Sequence, residues 1–555
     1  MAKSPKLSAR SPASDRLAED IVLRRDALDA DRGVWKQSWQ EIADNLIPRK
    51  NQIQGERTKG GKRNQKRYSS SGQHAHSVLT AALHGTMSSS AVQWFNFTTG
   101  DTETDSIKEV RQFFDDAAKT LWRAFNRGNF HTQVHEAYLD VSGFGTSCIL
   151  QEPDGVGPAM EDLVFTTFSI QDYVIEESSS GLVDTVYLTR HYTARQAIQK
   201  YGEENVAPKV LTDLVKDPAK RHPYIQVIAP DGDFDGVSAP DGMRYVSVHI
   251  DPQNKVTAAK SGYHEFPCAV PRWSQVAGET WGRGPADNAL PDIKVLNEAT
   301  RLELNAWAKA LDPPLLVEED GVAGGKIDMR PGKATVVRDM DRSLKAFESK
   351  ARFDVNRIKL DEYRNEIRRA FFADQLELPT NSTMTATEVQ VRFDLMQRIL
   401  GPILGRLEYE LQSPIIERGF NILFRAGKLG QMPSALIDAL NRGGLSITYM
   451  GPLSRAQKQQ EISGTLRWLE SVAAVAQIDP ASLDLVDMDE VQKFLHHNSE
   501  QPEQFLRTDK LVLELREARA KQQQKEDGLA EAQAGAGIAS DIATAGSSAR
   551  IEAAA

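Results

Sequence analysis

The residues most suggestive of chemistry are glycines that could hold a phosphate group. Residues 281–287 read WGRGPAD and stand directly before a long helical pattern. Backbone N–H groups at a helix N-terminus can bind phosphate. A dinucleotide-binding fingerprint, however, needs a small residue three places after its second glycine, and Asp287 stands there. Gly282, Gly284 and Pro285 are therefore interpreted as a joint between two parts of the chain.

A second glycine-rich segment, GVAGGKI at 321–327, partly matches a P-loop. A P-loop needs Ser or Thr after its lysine to hold magnesium, and Ile327 follows Lys326 here. We therefore expect no nucleotide hydrolysis by this chain.

Acidic and histidine patterns are equally incomplete. DGDFDG at 231–236 matches the first half of a calcium loop, but Gly242 replaces the bidentate glutamate, which favours a plain hairpin turn. His131 and His135 lie one helical turn apart without a further ligand at motif spacing, so surface or capping roles are favoured. Cys148 and Cys268 predict small buried hydrophobes rather than a disulfide framework. We expect no catalytic residue, metal site or cofactor.

Composition narrows the functional classes. The chain has 555 residues, 40% of them hydrophobic and 26% charged, which is typical of a globular protein. A net charge of -10 indicates that any contact with DNA is loose or local, since proteins that grip phosphates present a basic face. The sequence contains neither an 18-residue apolar run nor the apolar core of a signal peptide, so we expect a soluble protein without a membrane span.

The first 280 residues or so predict an α+β body. Helical periodicity covers 16–47 and stops at Pro48, and it returns over 73–90 and 107–139. The segment 49–68 carries eight basic residues and one acidic residue; it predicts either a solvated loop or a contact with nucleic acid or an acidic partner. Short strands between 146 and 250 are separated by turn residues, and 245–250 alternates like a half-buried antiparallel strand.

Two long helices follow the joint. The first covers 287–311, with an apolar stripe that includes Ile293, Leu304 and Trp307. Lys294 and Arg301 lie on its opposite side. A second helix over 351–375 is predicted to align four cations on one side, although Asp361 shares that face and could pair with them. These cations are Lys350, Arg357, Arg364 and Arg368. Helices of roughly 35 Å thus bracket a small α/β tip.

The remaining chain is mainly helical. Thr385 and Glu388 have the spacing of a capping box, which predicts the start of a third long helix. Gly401-Pro402 and Pro414 disturb this helix, and it ends near Gly427. Further helices are expected over 454–477 and 487–523. Residues 527–555 are rich in Ala, Gly and Ser without an apolar stripe, and we expect them to be disordered.

An ordered set of short motifs resembles the portal proteins, or head-to-tail connecting proteins, of tailed bacteriophages, the short-tailed branch in particular. The motifs are WQEIADNLIPRK at 39–50, SSSAVQWFNF at 88–97, GFGTSCIL at 143–150, WGRGPADNALPDIKVLN at 281–297, LDPPLLV at 311–317 and MTATEVQVR at 384–392. One departure is YSSSG at 68–72, where the family leads us to expect an aspartate after the tyrosine.

The resemblance implies a portal-type α+β protomer that assembles into a ring. Its parts would be a wing over 1–283, a first stem helix over 284–311, a clip over 312–350, a second stem helix over 351–376, a tunnel loop and long wing helix over 377–451, a crown over 452–526 and a tail over 527–555. Gly282, Gly284 and Pro285 would form the wing–stem joint. Ile293, Leu304 and Trp307 would form the stem interface.

The resemblance also implies function and partners. A ring of about twelve copies would occupy one capsid vertex and pass double-stranded DNA during packaging and ejection. The clip would meet terminase and then tail adaptor or tail tube proteins, and the ring would contact major capsid and scaffolding proteins. The chain would belong to the virion, and to the host cytoplasm during assembly, as a non-enzyme that enters no membrane.

Channel contacts to DNA would come from the stem cations and the tunnel loop. The candidates are Lys294, Arg301, Lys350, Arg357, Arg364, Arg368, Asn381 and Thr383. Alternatively, the arginines would form ion pairs with neighbouring subunits, and the sequence favours neither role over the other. The alternative function is a cytosolic nucleic-acid-binding scaffold or enzyme subunit that uses the basic segment 49–68.

Overall fold

The computed structural model describes residues 15–55, 60–61, 67–155, 162–240, 242–311, 315–317, 344–346, 353–376, 400–437, 446–450, 452–476, 484, 486–499, 505, 507 and 511–526. The chain divides into two compact units. The first comprises Met1–Asn96, Ala117–Gln431 and Ile447–Leu453, and the second comprises Phe97–Asp116, Met432–Ser446 and Ser454–Ala555. No described helix is long and apolar enough to span a lipid bilayer.

The N-terminal helical region is divided at Arg32. Helix α1 is Arg16–Asp31, α2 is Gly33–Asn45, and a short 3-10 turn follows at Pro48–Lys50. The helical periodicity predicted over 16–47 therefore corresponds to two helices. The buried Arg32 guanidinium donates to the carbonyl oxygens of Ile170 at 2.9 Å and Tyr173 at 2.6 Å, so the break places a cation among backbone acceptors.

Four helices follow before the main sheets. They are α3 at Ser71–Met87, α4 at Thr102–Ser106, α5 at Lys108–Arg127 and α6 at Phe130–Phe144. The helical region predicted over 107–139 is therefore confirmed as two helices. Phe125 stacks on Phe130 with ring centroids 4.5 Å apart, which fixes the turn between α5 and α6.

Two antiparallel sheets carry the predicted strands. The smaller has the order β3-β2-β9, from β2 at Cys148–Pro153, β3 at Leu163–Phe168 and β9 at Cys268–Ala269. The larger has the order β4-β5-β6-β7-β8, from β4 at Tyr173–Glu177, β5 at Val183–Thr193, β6 at Arg221–Pro230, β7 at Tyr245–Asp251 and β8 at Val256–Tyr263. The mixed α+β class is confirmed.

Strand β7 is buried on both faces, so the half-buried assignment for 245–250 is wrong. Val246 and Val248 pack with α1 in one core. The other face is covered because β5 leads into α7 at Ala194–Tyr201 and α8 at Pro208–Lys216. There, the Tyr201 hydroxyl lies 3.2 Å from His249 Nδ1, and burial lowers the pKa of His249 to about 3.

The DGDFDG segment forms the turn between β6 and β7, as the turn interpretation predicts. Its carboxylates serve structural bonds: Asp231 Oδ1 accepts the Ala239 N–H at 2.7 Å, and Asp233 pairs with Arg24 at 3.2 Å. Among the described residues, no group of three or more His, Cys, Asp or Glu is placed to hold a metal ion.

The long helices differ in detail from their predicted bounds. Helix α9 is Pro285–Leu311 and α10 is Phe353–Ala370. The tip between them contributes β10 at Leu315–Val317 paired antiparallel with β11 at Leu344–Ala346. The helix predicted to run to residue 375 instead breaks at Phe372, which has φ 56°, and α11 follows at Ala373–Leu376. A positive φ at a bulky residue is strained.

From residue 400 onward, the third long helix continues through Pro414 because the helical geometry changes just before that residue. A helix over 400–407 passes through a π-helical turn at Glu408–Gln412 into α12 at Ser413–Arg425. Proline cannot donate the helical hydrogen bond, and a π turn relieves that requirement. The Tyr449 hydroxyl donates to the Glu408 carbonyl oxygen at 3.2 Å, so this carbonyl group of the π turn has a hydrogen-bond partner.

The remaining described elements are β12 at Ser446–Tyr449, α13 at Pro452–Ala476, α14 at Met488–Asn498 and a helix over 511–526. Strand β12 pairs with β1 at Phe95–Thr98. The GVAGGKI segment, the Thr385–Glu388 capping box and the tail 527–555 lie outside the described residues.

Candidate functional site at the joint and the long helices

Three glycines bring two backbone segments into close contact where α9 begins. Gly145, with φ 80°, ends α6, and a Cβ atom added there would lie 2.1 Å from the Gly282 carbonyl oxygen. A Cβ on Gly282 would lie 2.4 Å from the Gly145 carbonyl oxygen, and one on Gly284 would lie 2.9 Å from the Ser142 carbonyl oxygen. The predicted joint glycines are therefore needed for close backbone approach.

Asp287 caps the helix that starts at the joint. The Gly284 N–H donates to Asp287 Oδ2 at 2.8 Å, and Pro285 follows Gly284, where a missing N–H costs little. Burial raises the pKa of the Asp287 carboxyl, and the hydrogen bond from Gly284 opposes that shift. The residue that breaks the dinucleotide fingerprint thus satisfies a backbone donor at the helix terminus.

Aromatic side chains hold in place the segment that leads into the joint. Trp281 is buried, with its ring centroid 4.9 Å from Trp39 and 5.7 Å from Tyr173. The Arg32 guanidinium lies 5.9 Å from the Trp281 ring centroid, within cation–π range. The joint is consequently packed on its N-terminal side as well as closed by backbone contact.

Arg272 ties this region to the third long helix. Its side chain is 2% exposed, and its Nη2 donates to Glu410 Oε1 at 2.9 Å in the π-helical turn. Its Nη1 donates to Glu177, and its Cβ lies against the position of a Gly282 side chain. One buried cation therefore contacts β4, the joint and the π turn, and its charge is offset by two carboxylates.

The first half of α9 is packed within the chain. Ile293 is 6% exposed and lies against Gly72 of α3, where an added Cβ would be 3.0 Å from its Cδ1. Leu296 is buried too, and α9 packs against α2, α3, α6 and α10. Ile293, predicted for the subunit interface, is thus already covered by the protomer itself.

The second half of α9 carries the other two predicted interface residues at the surface. Leu304 is 44% exposed and Trp307 is 49% exposed. Leu302 nearby is 54% exposed, although the sequence stripe did not include it. The apolar stripe therefore changes from core to surface along a single helix.

The chain matches a known protein family over most of its length. A model of the bacteriophage head to tail connecting protein family matches residues 18–506. The chain belongs to this family. It is 27% identical over 485 residues to a protein named "Probable portal protein" from Bordetella phage BPP-1, covering 84% of this chain and 85% of that protein. It is 25% identical over 535 residues to a "Portal protein" from Salmonella phage epsilon15, covering 93% and 94% respectively.

Three channel candidates of this head-to-tail connecting protein form ion pairs with carboxylates of the same chain. Lys294 pairs with Glu41 at 2.5 Å, Arg301 with Glu298 at 2.5 Å and Arg364 with Asp361 at 2.6 Å. Arg368 is exposed in the last turn of α10. Arg357 lies on α10 but its side chain is outside the description, as are Lys350, Asn381 and Thr383 altogether.

A buried histidine lies where α10 meets the body. The His76 ring centroid is 5.6 Å from Phe371, and its Nε2 is 2.8 Å from Ser142 Oγ. Burial lowers the pKa of His76 to about 4, so the ring is neutral near pH 7. His131 and His135, predicted as surface or capping residues, are half-buried and pack edge-on against His84, with ring centroids 5.6 Å and 5.9 Å away.

Sequence reasoning missed Gly145, Arg272 and the role of Asp287. Gly145 sits in the quoted motif GFGTSCIL, and a glycine after a helical pattern is a local signal for a helix C-terminus. Asp287 could have been found as a cap from its place three residues after Gly284. Arg272 has no local signal, because its partner Glu410 is 138 residues away.

Proposed function

We propose that this chain is the portal subunit of a tailed bacteriophage, assembled as a ring of about twelve copies at one capsid vertex. Double-stranded DNA passes through its central channel during packaging and ejection. Membership of the head-to-tail connecting family and the names of its two relatives support this role. The observation that carries the ring is the exposed apolar half of α9.

Ring formation would cover that surface. Burying a side chain such as Leu304 or Trp307 contributes roughly 1.5–3 kcal/mol, and every subunit offers the same stripe. A heterologous contact that repeats with a constant rotation closes into a ring. The predicted stem interface therefore reduces to Leu304 and Trp307, since Ile293 is buried within the subunit.

Contact with DNA is proposed to be electrostatic and independent of sequence. Lys294, Arg301 and Arg364 each have a carboxylate partner, which offsets their charge locally. A channel lined in this way releases few counterions from DNA, so the DNA can slide. Lys350, Arg357, Arg368, Asn381 and Thr383 remain further candidates for this lining.

The partners follow from the same role. The clip over 312–350 would bind terminase during packaging and tail adaptor or tail tube proteins afterwards, while the wing would contact major capsid and scaffolding proteins. The protein would act in the virion, and in the host cytoplasm during assembly, without enzymatic activity or cofactor. ATP hydrolysis by purified protein that is lost on Lys326→Ala would contradict the non-enzymatic role.

Native mass measurement with electron microscopy of purified protein tests the proposal. A closed ring of twelve subunits of 61.5 kDa would have a mass of about 740 kDa and a central opening. A protein that stays at 61.5 kDa across the micromolar range would overturn the ring.

A further inference from the structure

A cavity of about 450 Å³ lies at the beginning of β5. Its apolar wall includes Leu182, Val183, Phe266 and Val270, and Tyr409 of the π turn stands at its rim with 60% of its surface exposed. The cavity could accept one or two aliphatic side chains. It belongs wholly to the first unit of the chain.

The charged groups of this cavity leave one carboxylate without a cation. Arg272 is bound by Glu410, and Arg418 contacts Glu265 at 3.3 Å. Glu417 of α12 also lines the cavity. It makes no ion pair with any residue the structure describes. Glu417 is exposed, so its carboxylate is accessible to a cation from outside the subunit. The cavity is therefore suited to an aliphatic group that carries a positive charge beside it.

Near the opposite end of β5, exposed apolar residues are followed by a lysine, which is the combination that the cavity could accept. β5 spans Val183–Thr193, so its ends are roughly 35 Å apart, and it leads through α7 to α8. At the end of α8, Val215 is 84% exposed and Leu214 is 39% exposed. Lys216 follows and makes no ion pair with described residues, whereas Lys220 nearby is bound to Asp213 at 2.7 Å.

We propose that Val215 and Lys216 of one copy of this chain dock into the cavity of the next copy, with Lys216 paired to Glu417. An apolar protrusion and a complementary cavity on different surfaces of one molecule produce a head-to-tail contact. Their location at opposite ends of β5 allows the same contact to repeat around a ring. This inference rests on the proposed function and names an interface that is separate from the stripe on α9.

Cysteine cross-linking tests the contact directly. Val215→Cys combined with Tyr409→Cys should yield a ladder of covalent oligomers on non-reducing gels after mild oxidation, because native Cys148 and Cys268 are buried. Val34→Cys with Tyr409→Cys is the matched control, since Val34 is also 84% exposed but lies on α2. Intact rings without a ladder would overturn this contact alone. Protein that stays monomeric would overturn both the contact and the ring.

A charge exchange provides the second test. Lys216→Glu and Glu417→Lys should each raise the concentration at which rings dissociate by about three- to tenfold, and the double variant should restore it. Lys209→Glu, at the other end of α8, should leave it unchanged. Additive effects of the two changes, without restoration, would contradict the pairing of Lys216 with Glu417.

Discussion

The two halves of α9 have the same helical geometry but different surroundings. Near Pro285 the helix is capped, closed by glycine contacts and packed against four other helices of its own chain. Beyond Thr300, Leu302, Leu304 and Trp307 are exposed. Amphipathic periodicity thus identifies an apolar face without identifying what covers it. Substitutions in the first half should therefore lower the stability of the subunit, whereas substitutions in the second half should weaken ring formation.

The largest effect should come from Gly145→Ala at the packed end. The new Cβ would lie 2.1 Å from the Gly282 carbonyl oxygen, and φ 80° is unfavourable for alanine. Strain and overpacking together should lower the free energy of unfolding by about 3 kcal/mol or more. Urea denaturation measures this loss.

Gly278→Ala is the matched control for that substitution. Gly278 also has a positive φ, 86°, but no atom lies within 4 Å of an added Cβ. Gly278→Ala should lower the free energy of unfolding by about 1 kcal/mol, from backbone strain alone. Equal costs at both positions would show that backbone contact at the joint does not hold α9.

The second prediction contrasts Ile293 with Trp307. Ile293→Ala should lower the unfolding free energy of the subunit by about 2–5 kcal/mol, because Ile293 is buried. Trp307→Asp should change subunit stability little but prevent or severely weaken ring formation, since the interface would bury an unpaired charge. Denaturation and native mass measurement separate the two. Normal rings from Trp307→Asp would show that the stripe is not an interface.

A third prediction concerns pH at the packed end. The pKa of His76 is about 4 in the folded chain and about 6.5 when unfolded, so the unfolded state binds the proton more tightly between these values. Stability should fall as the pH drops through this window, by about 2 kcal/mol between pH 7 and pH 5 from this residue. His76→Gln should reduce the pH dependence by that amount. His74→Gln, at an exposed position of α3, should leave it unchanged.

The smallest effect should come from cations along the long helices. Arg364 forms an exposed pair with Asp361, so Arg364→Gln should alter subunit stability by less than about 1 kcal/mol. If Arg357 and Arg364 line the channel, replacing both with Gln should leave rings intact and weaken the salt dependence of DNA retention. Broken rings with normal packaging in the survivors would favour ion pairs between subunits instead.

Local patterns predicted much of the fold. Short β-forming runs between turn residues located β2, β3, β5, β6 and β7, and helical periodicity located α3, α9 and α10, because these signals depend on neighbouring residues. The short β9 was missed since two residues, Cys268 and Ala269, carry no period. Burial of both faces of β7 was missed because it depends on α7 and α8, which the strand sequence does not specify.

The candidate site was less predictable. Gly282 and Gly284 could be recognised as a joint, whereas their contact with Gly145 is tertiary and leaves no spacing signal. Glu177 and Glu410 reach Arg272 from segments that are remote in sequence. Long-range electrostatic partners of this kind are determined by the completed fold, so a single sequence shows their residue types but not their pairing.

The joint brings together two segments that are far apart in the sequence, and this separation affects the order of folding. The Gly282 N–H donates to Thr146 Oγ1 across 136 residues, and Thr146 also forms a β-bridge with Arg272. Closing an unstructured loop of that length costs about 4 kcal/mol of chain entropy. Prior formation of the five-stranded sheet would shorten the effective loop. We therefore expect the joint to close late, so that substitutions at Gly145 speed unfolding more than they slow folding.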